Sequence, residues 1–131
     1  MRIYQGTIWS IETHDWSLDQ DETCVTLTPP EGKAALQFSA HRKRSGGVTT
    51  DDLISSLREY VPETTPLVPV RCGTFWGYHG EYLEEGRCWR MWDLAYGQTE
   101  LFVTFNCPEE HQHVHRGIVD WLLSTLDGSA S

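Results

Sequence analysis

Apolar and polar positions first fall into a regular pattern around Trp16, where Trp16 and Leu18 alternate with polar neighbours. Cys24-Val25-Thr26-Leu27-Thr28 follows as a β-rich run, Pro29-Pro30-Glu31-Gly32 is a strong turn signal, and Leu36 and Phe38 are the apolar phase of a strand over 34–40. This predicts a β-hairpin preceded by a short strand. Gly46-Gly47 breaks the pattern. Thr49-Thr50-Asp51-Asp52 then supplies an N-cap and acidic first turn, and Leu53, Ile54, Leu57, Tyr60 and Val61 recur at helical spacing until Pro62. The spacing predicts a helix over 50–61.

After a Pro-rich connection at 62–69, the chain from Val70 to Cys107 alternates, punctuated by Glu84-Glu85-Gly86 and Gly97-Gln98. A three-strand meander fits. If Gly97-Gln98 is a two-residue hairpin loop, Tyr96 faces Thr99, and Arg90, Trp92 and Leu94 share a face with Leu101, Val103 and Phe105. The other face carries Trp89, Met91, Asp93 and Ala95 beside Phe102, Thr104 and Asn106. Both faces are apolar enough to need cover. From 109 to 126, Val114, Ile118, Leu122 and Leu126 form an i, i+4 stripe widened by Val119 and Leu123, which predicts a closing helix.

The expected fold class is therefore α+β: a largely antiparallel sheet of five to six strands, an N-terminal hairpin plus the meander, packed by two helices. Trp16, Leu27, Leu36, Phe38, Leu53, Leu57, Trp92, Leu101, Val103, Phe105, Ile118 and Leu122 should make one contiguous core. At 131 residues the chain suits one domain, expected over 1–126, with a frayed polar tail at 127–131. Arg90 is the outlier of the inner face and should pair with Glu81 on the neighbouring strand.

The residues from DWSL through CVTLTPPEGKAALQFSA, then the helix, the meander ending ELFVTFNC and the closing helix, resemble small bacterial domains of the PsbP-like superfamily. The pattern covers about residues 9–126. The resemblance implies the α+β fold and a protein-binding, adaptor or chaperone role, with no shared catalytic residues to transfer.

Charge narrows the partners. The net charge is −9 and six carboxylates lie between Ile3 and Gly32 without a Lys or Arg, so nucleic acid is an unsuitable ligand and a basic protein partner a suitable one. The basic cluster His41-Arg42-Lys43-Arg44 reads as the solvated end of a strand. No apolar run reaches the length of a membrane span, and the N-terminal residues lack a signal-peptide pattern, so a cytoplasmic protein is expected. Cys24, Cys72, Cys88 and Cys107 have no metal or redox spacing and should be free thiols in a reducing compartment.

No motif for nucleotide-dependent or triad chemistry is present, and no cofactor is expected. The chain reads as a non-enzymatic binding or adaptor domain, of immunity or chaperone type, acting as monomer or homodimer. Trp76, Tyr78, Tyr82, Trp89 and Tyr96 are the candidate binding surface, since Tyr and Trp beyond the needs of a core make good anchors. The competing class is a metal-binding protein or small hydrolase using His111, His113 and His115. Imidazoles at 111 and 115 would share a helix face, and His79 could join them as a ligand. His79, Glu81 and Asp93 form a second candidate acid/base group.

Overall fold

A computed structural model describes residues 2–129. Its strands are β1 (Ile3–Gln5), β2 (Ser10–Glu12), β3 (Ser17–Gln20), β4 (Val25–Thr28), β5 (Ala35–Arg42), β6 (Val68–Cys72), β7 (Phe75–Glu84), β8 (Arg87–Tyr96) and β9 (Thr99–Pro108). Helix α1 (Thr50–Arg58) lies between β5 and β6, and α2 (Arg116–Ser124) follows β9. Strands β3 to β9 form one antiparallel sheet in the order β3-β4-β5-β9-β8-β7-β6, and β1 pairs separately with β2. The α+β class thus holds, with seven strands in the main sheet. The two additions are β6, which contains Pro69 and occupies an edge where a missing N–H is tolerated, and the β1–β2 hairpin.

The expected registers are present. Leu27 faces Leu36 across the first hairpin, and Tyr96 faces Thr99 beside the Gly97-Gln98 turn, with Gly97 at φ +59°. Arg90, Trp92 and Leu94 oppose Phe105, Val103 and Leu101. This face is covered by α2 and the β1–β2 hairpin, which brings Trp9 and Ile11 onto Phe38, Leu36 and their neighbours.

The other face is covered by α1. Thr49 caps that helix through a capping box with Asp52, and Leu53 and Leu57 point at the sheet. A single contiguous core was expected, but the sheet separates Leu53 and Leu57 from the rest. Leu53 packs with Val48 and Ala95, and Leu57 with Val61 and Met91. Ile118 is half-buried at the margin of the α2-side core.

The closing helix begins seven residues later than its apolar stripe suggests. Strand β9 stays paired with β8 through Pro108, Glu109 N–H donates to Gly86 O, and a 3-10 turn over Glu109–His111 carries the chain around the sheet's end. Val114 is consequently 65% exposed, and α2 starts only after His115. The tail is not frayed as far as it is described. Asp127 and Ser10 exchange backbone hydrogen bonds of 3.0 and 2.9 Å, and Gly128 N–H donates to Thr74 Oγ1 at 2.9 Å. Ala130 and Ser131 lie outside the described residues.

Candidate functional site

The sheet pleat sorts the chemistry between two faces. On the α1 side stand Trp76, Tyr78 and Tyr82 from β7, Trp89, Met91 and Asp93 from β8, and Glu100 and Phe102 from β9. Helix α1 lies over β7 and β8, so Trp76 and Tyr78 are packed beneath it. Tyr82, Trp89 and Phe102 are half-buried against the Leu57, Val61 and Met91 cluster at the C-terminal end of the helix, and Tyr60, 58% exposed, leans on Phe102 with ring centroids 5.3 Å apart. Between α1 and strands β5 and β9 runs a groove of about 500 Å³ lined by His41, Ser56, Glu59, Tyr60, Glu100 and Phe102, among others.

Beside the groove is an unusual carboxyl pair. Asp93 has no exposed surface. Glu100 stands diagonally opposite on β9 and accepts a hydrogen bond from Ser56 Oγ at 3.2 Å. Burial, and then the hydrogen bond and the charge of the adjacent Glu100 carboxylate, push the Asp93 carboxyl up to about 9, so the pair holds one proton at physiological pH.

On the α2 side lies a second polar group, anchored by Arg90. Its guanidinium sits over the Trp92 ring at 4.7 Å and donates through Nη2 to Asp120 Oδ1 at 2.8 Å. Glu81 Oε1 is 3.9 Å from Arg90 Nε, so the expected partner is present but Asp120 on α2 makes the hydrogen bond. Glu81 instead accepts from Arg116 Nη2 and, at 3.6 Å, from the Cys88 thiol. Burial opposes ionisation of Glu81, yet Arg116 and Arg90 together hold its carboxyl below the usual range.

His79 stacks on Trp92, with centroids 4.7 Å apart and planes 23° from parallel. Burial, aided by Arg90, lowers it to about 4 and keeps it neutral.

Several expected sites come apart. His79 and Glu81 share a face of β7, but Asp93 pairs with Tyr78 and points to the other side of the sheet, so the acid/base group does not assemble. Tyr96, too, is on the α2 side, packed on Phe75 and against Gly128, away from the other four candidate surface aromatics. The three C-terminal histidines do not share a helix face. His111 closes the 3-10 turn, His113 is exposed, and His115 is buried with Nε2 2.7 Å from Glu31 Oε1 and edge-on to Trp16 and Phe105. Among the described residues no group of three or more His, Cys, Asp or Glu side chains is placed to hold a metal ion.

Sequence reasoning passed over three residues that matter here. Tyr60 belongs to the helical apolar pattern, Phe102 to the apolar phase of a sheet face, and Asp120 sits unremarkably among the apolar residues of α2. The alternation puts Phe102 on the correct side, and there it is half-buried between the Leu57 cluster and the Tyr60 ring.

No family model and no curated protein matches this chain. A solved structure of a protein from Bacteroides thetaiotaomicron VPI-5482 is similar, with a TM-score of 0.71 over 97% of this chain and 18% identity. That match takes in 48% of the other protein, so the chain spans about half its length. The likeness shows a shared fold. Among the described residues no helix is long and apolar enough to cross a membrane.

Proposed function

We propose that the protein is a non-enzymatic binding domain that docks a basic segment of a protein partner on the part of the α1-side sheet face that α1 leaves open. The observation that carries this reading is the run of half-buried aromatics Tyr82, Trp89 and Phe102, continued by exposed Tyr60 and bordered by Glu59 and Glu100 at the groove. Aromatic rings at a partly desolvated surface give contact area at low entropic cost, and carboxylates beside them favour Lys or Arg from the partner through both charge pairing and cation–π contact. The net charge of −9 steers a basic partner and repels nucleic acid. The PsbP-like pattern of the sequence agrees with an adaptor, chaperone or immunity-type role in the cytoplasm, where the four free cysteines would stay reduced.

The test is affinity capture with chemical cross-linking, comparing the wild type with Phe102→Asp and with Trp121→Asp, an exposed position of α2, as a control on the opposite side. The expected result is a stoichiometric partner whose cross-links map to β8, β9 and α1 and to a Lys- or Arg-rich segment of its own. Phe102→Asp should lose that partner while Trp121→Asp keeps it. Retention by Phe102→Asp at unchanged thermal stability, or cross-links confined to the α2 side, would overturn the assignment.

A further inference from the structure

The α2 side holds a separate cavity of about 290 Å³ between edge strand β6, strands β7 and β8, and helix α2. Its walls include Val70, His79, Arg90, Trp92, Asp120 and Leu123. Arg90 is 95% removed from solvent, being 5% exposed, and two of its nitrogens, Nε and Nη1, have no hydrogen-bond partner. His79 Nε2 is buried and equally unpartnered. An unpaired donor on a buried cation is costly, and three such nitrogens in residues lining one cavity call for an acceptor.

Charge selects its class. Arg90 is paired with Asp120 at the cavity wall, and Glu81, itself paired with Arg116, stands behind Arg90. A dianion would set two charges against the single Arg90 cation, whereas a monoanion that takes the place of Asp120 leaves the balance at Arg90 unchanged. Asp120 is the movable wall: its side chain is 57% exposed and its one hydrogen bond in the cluster is to Arg90 Nη2. When it swings outward, Nη1 and Nη2 become a planar fork of the kind that grips a carboxylate with two parallel N–H bonds. Val70, Trp92 and Leu123 supply apolar surface beside that fork.

We propose that this cavity binds a small monocarboxylate. Its carboxylate displaces Asp120 from the Arg90 fork, His79 Nε2 donates a further hydrogen bond, and its hydrocarbon part lies against Val70, Trp92 and Leu123. This site is on the opposite side of the sheet from the docking face and is independent of it.

The probes are benzoate and 3-methylbutanoate, with benzamide as the neutral counterpart and inorganic phosphate as the competing anion, each titrated into the full chain by two-dimensional NMR. Saturable shifts at the Trp92 indole N–H and the Val70 and Leu123 methyls are expected for a carboxylate, and none for benzamide or phosphate. His79→Phe keeps a ring on Trp92 and should weaken binding about tenfold, the usual size of one hydrogen bond to a charged group. Asp120→Asn removes the internal competitor and should tighten binding, a direction that a purely structural pair would not give. Absence of saturable shifts with both carboxylates, equal shifts with benzamide, or weaker binding in Asp120→Asn would each overturn the proposal.

Discussion

Asp93 and Glu100 stand diagonally across the β8–β9 ladder, two carboxyl groups on one face of a sheet, with Ser56 Oγ donating to Glu100. The pair therefore holds a proton that an unfolded chain would release. Asp93 binds it up to about pH 9 in the folded state, against a reference value of 3.8.

The sign of the linkage follows. A carboxyl raised in the folded state contributes stability that is full below about pH 4 and is lost as pH rises toward 9, because the folded protein binds more protons than the unfolded one. Urea midpoints of the wild type should fall as pH rises from about 6 to about 8, at up to about 1.4 kcal/mol of stability per pH unit. Asp93→Asn should flatten most of that slope, while the repulsion among the other carboxylates persists in both proteins. Parallel slopes for the two would show that Asp93 does not hold the proton.

Gly77 makes a prediction about the sheet beneath this pair. A Cβ at position 77 would lie 2.0 Å from the backbone oxygen of Asp93, a contact no side-chain movement relieves. Gly77→Ala should cost about 3 kcal/mol or more, at the upper end of what overpacking does, and calorimetry should read it as a large fall in Tm. Gly32→Ala is the comparison. Its φ of +75° is strained for alanine but nothing lies near the new methyl, so a cost of about 1 kcal/mol is expected.

The thiols divide in the same way between surface and interior. Cys72, Cys88 and Cys107 are buried, and burial raises each thiol, Cys72 and Cys88 to about 11. Cys24 is half-buried near the start of β4. An aromatic disulfide reagent at neutral pH should modify Cys24 promptly and the other three only after denaturation, since the thiolate is the reacting species. Prompt release of more than one equivalent from native protein would show that the α2-side interior opens readily.

The sequence was most legible where two independent signals agreed. Gly97-Gln98 and the alternation on either side of it jointly set the β8–β9 register, and Arg90 duly falls on the α2 side beside Trp92. Where one signal stood alone, it misled. The stripe from Val114 to Leu126 is a correct helical period, but the strand before it extends to Pro108, and His115 is committed to Glu31 and Trp16, so the helix cannot start at 109. Alternation also cannot say how far a helix reaches across a sheet. Trp76 and Trp89 read alike in the sequence, yet Trp76 packs into the cluster around Leu53, and Trp89 against the one around Leu57 and Val61 at the other end of α1. The polar cluster on the α2 side was half visible. Strand pairing brings Glu81 opposite Arg90, but Asp120 arrives from a helix whose docking angle the sequence does not encode locally.

That docking is itself testable at Leu122. It has no exposed surface and sits with Val119 and Leu123 in the cluster that contains Trp92, Val103 and Phe105. Leu122→Ala should cost about 2–5 kcal/mol, the range for emptying a buried leucine site. Glu110→Ala, in the exposed part of the 3-10 turn, should cost about 0.5 kcal/mol or less, because α2 begins six residues further on and no helix dipole of that helix acts at 110. Two variants measured in urea thus separate a docked helix from a loosely held one. Equal small losses would mean that α2 does not pack on the sheet, and the cavity beside Arg90 would lose its fourth wall.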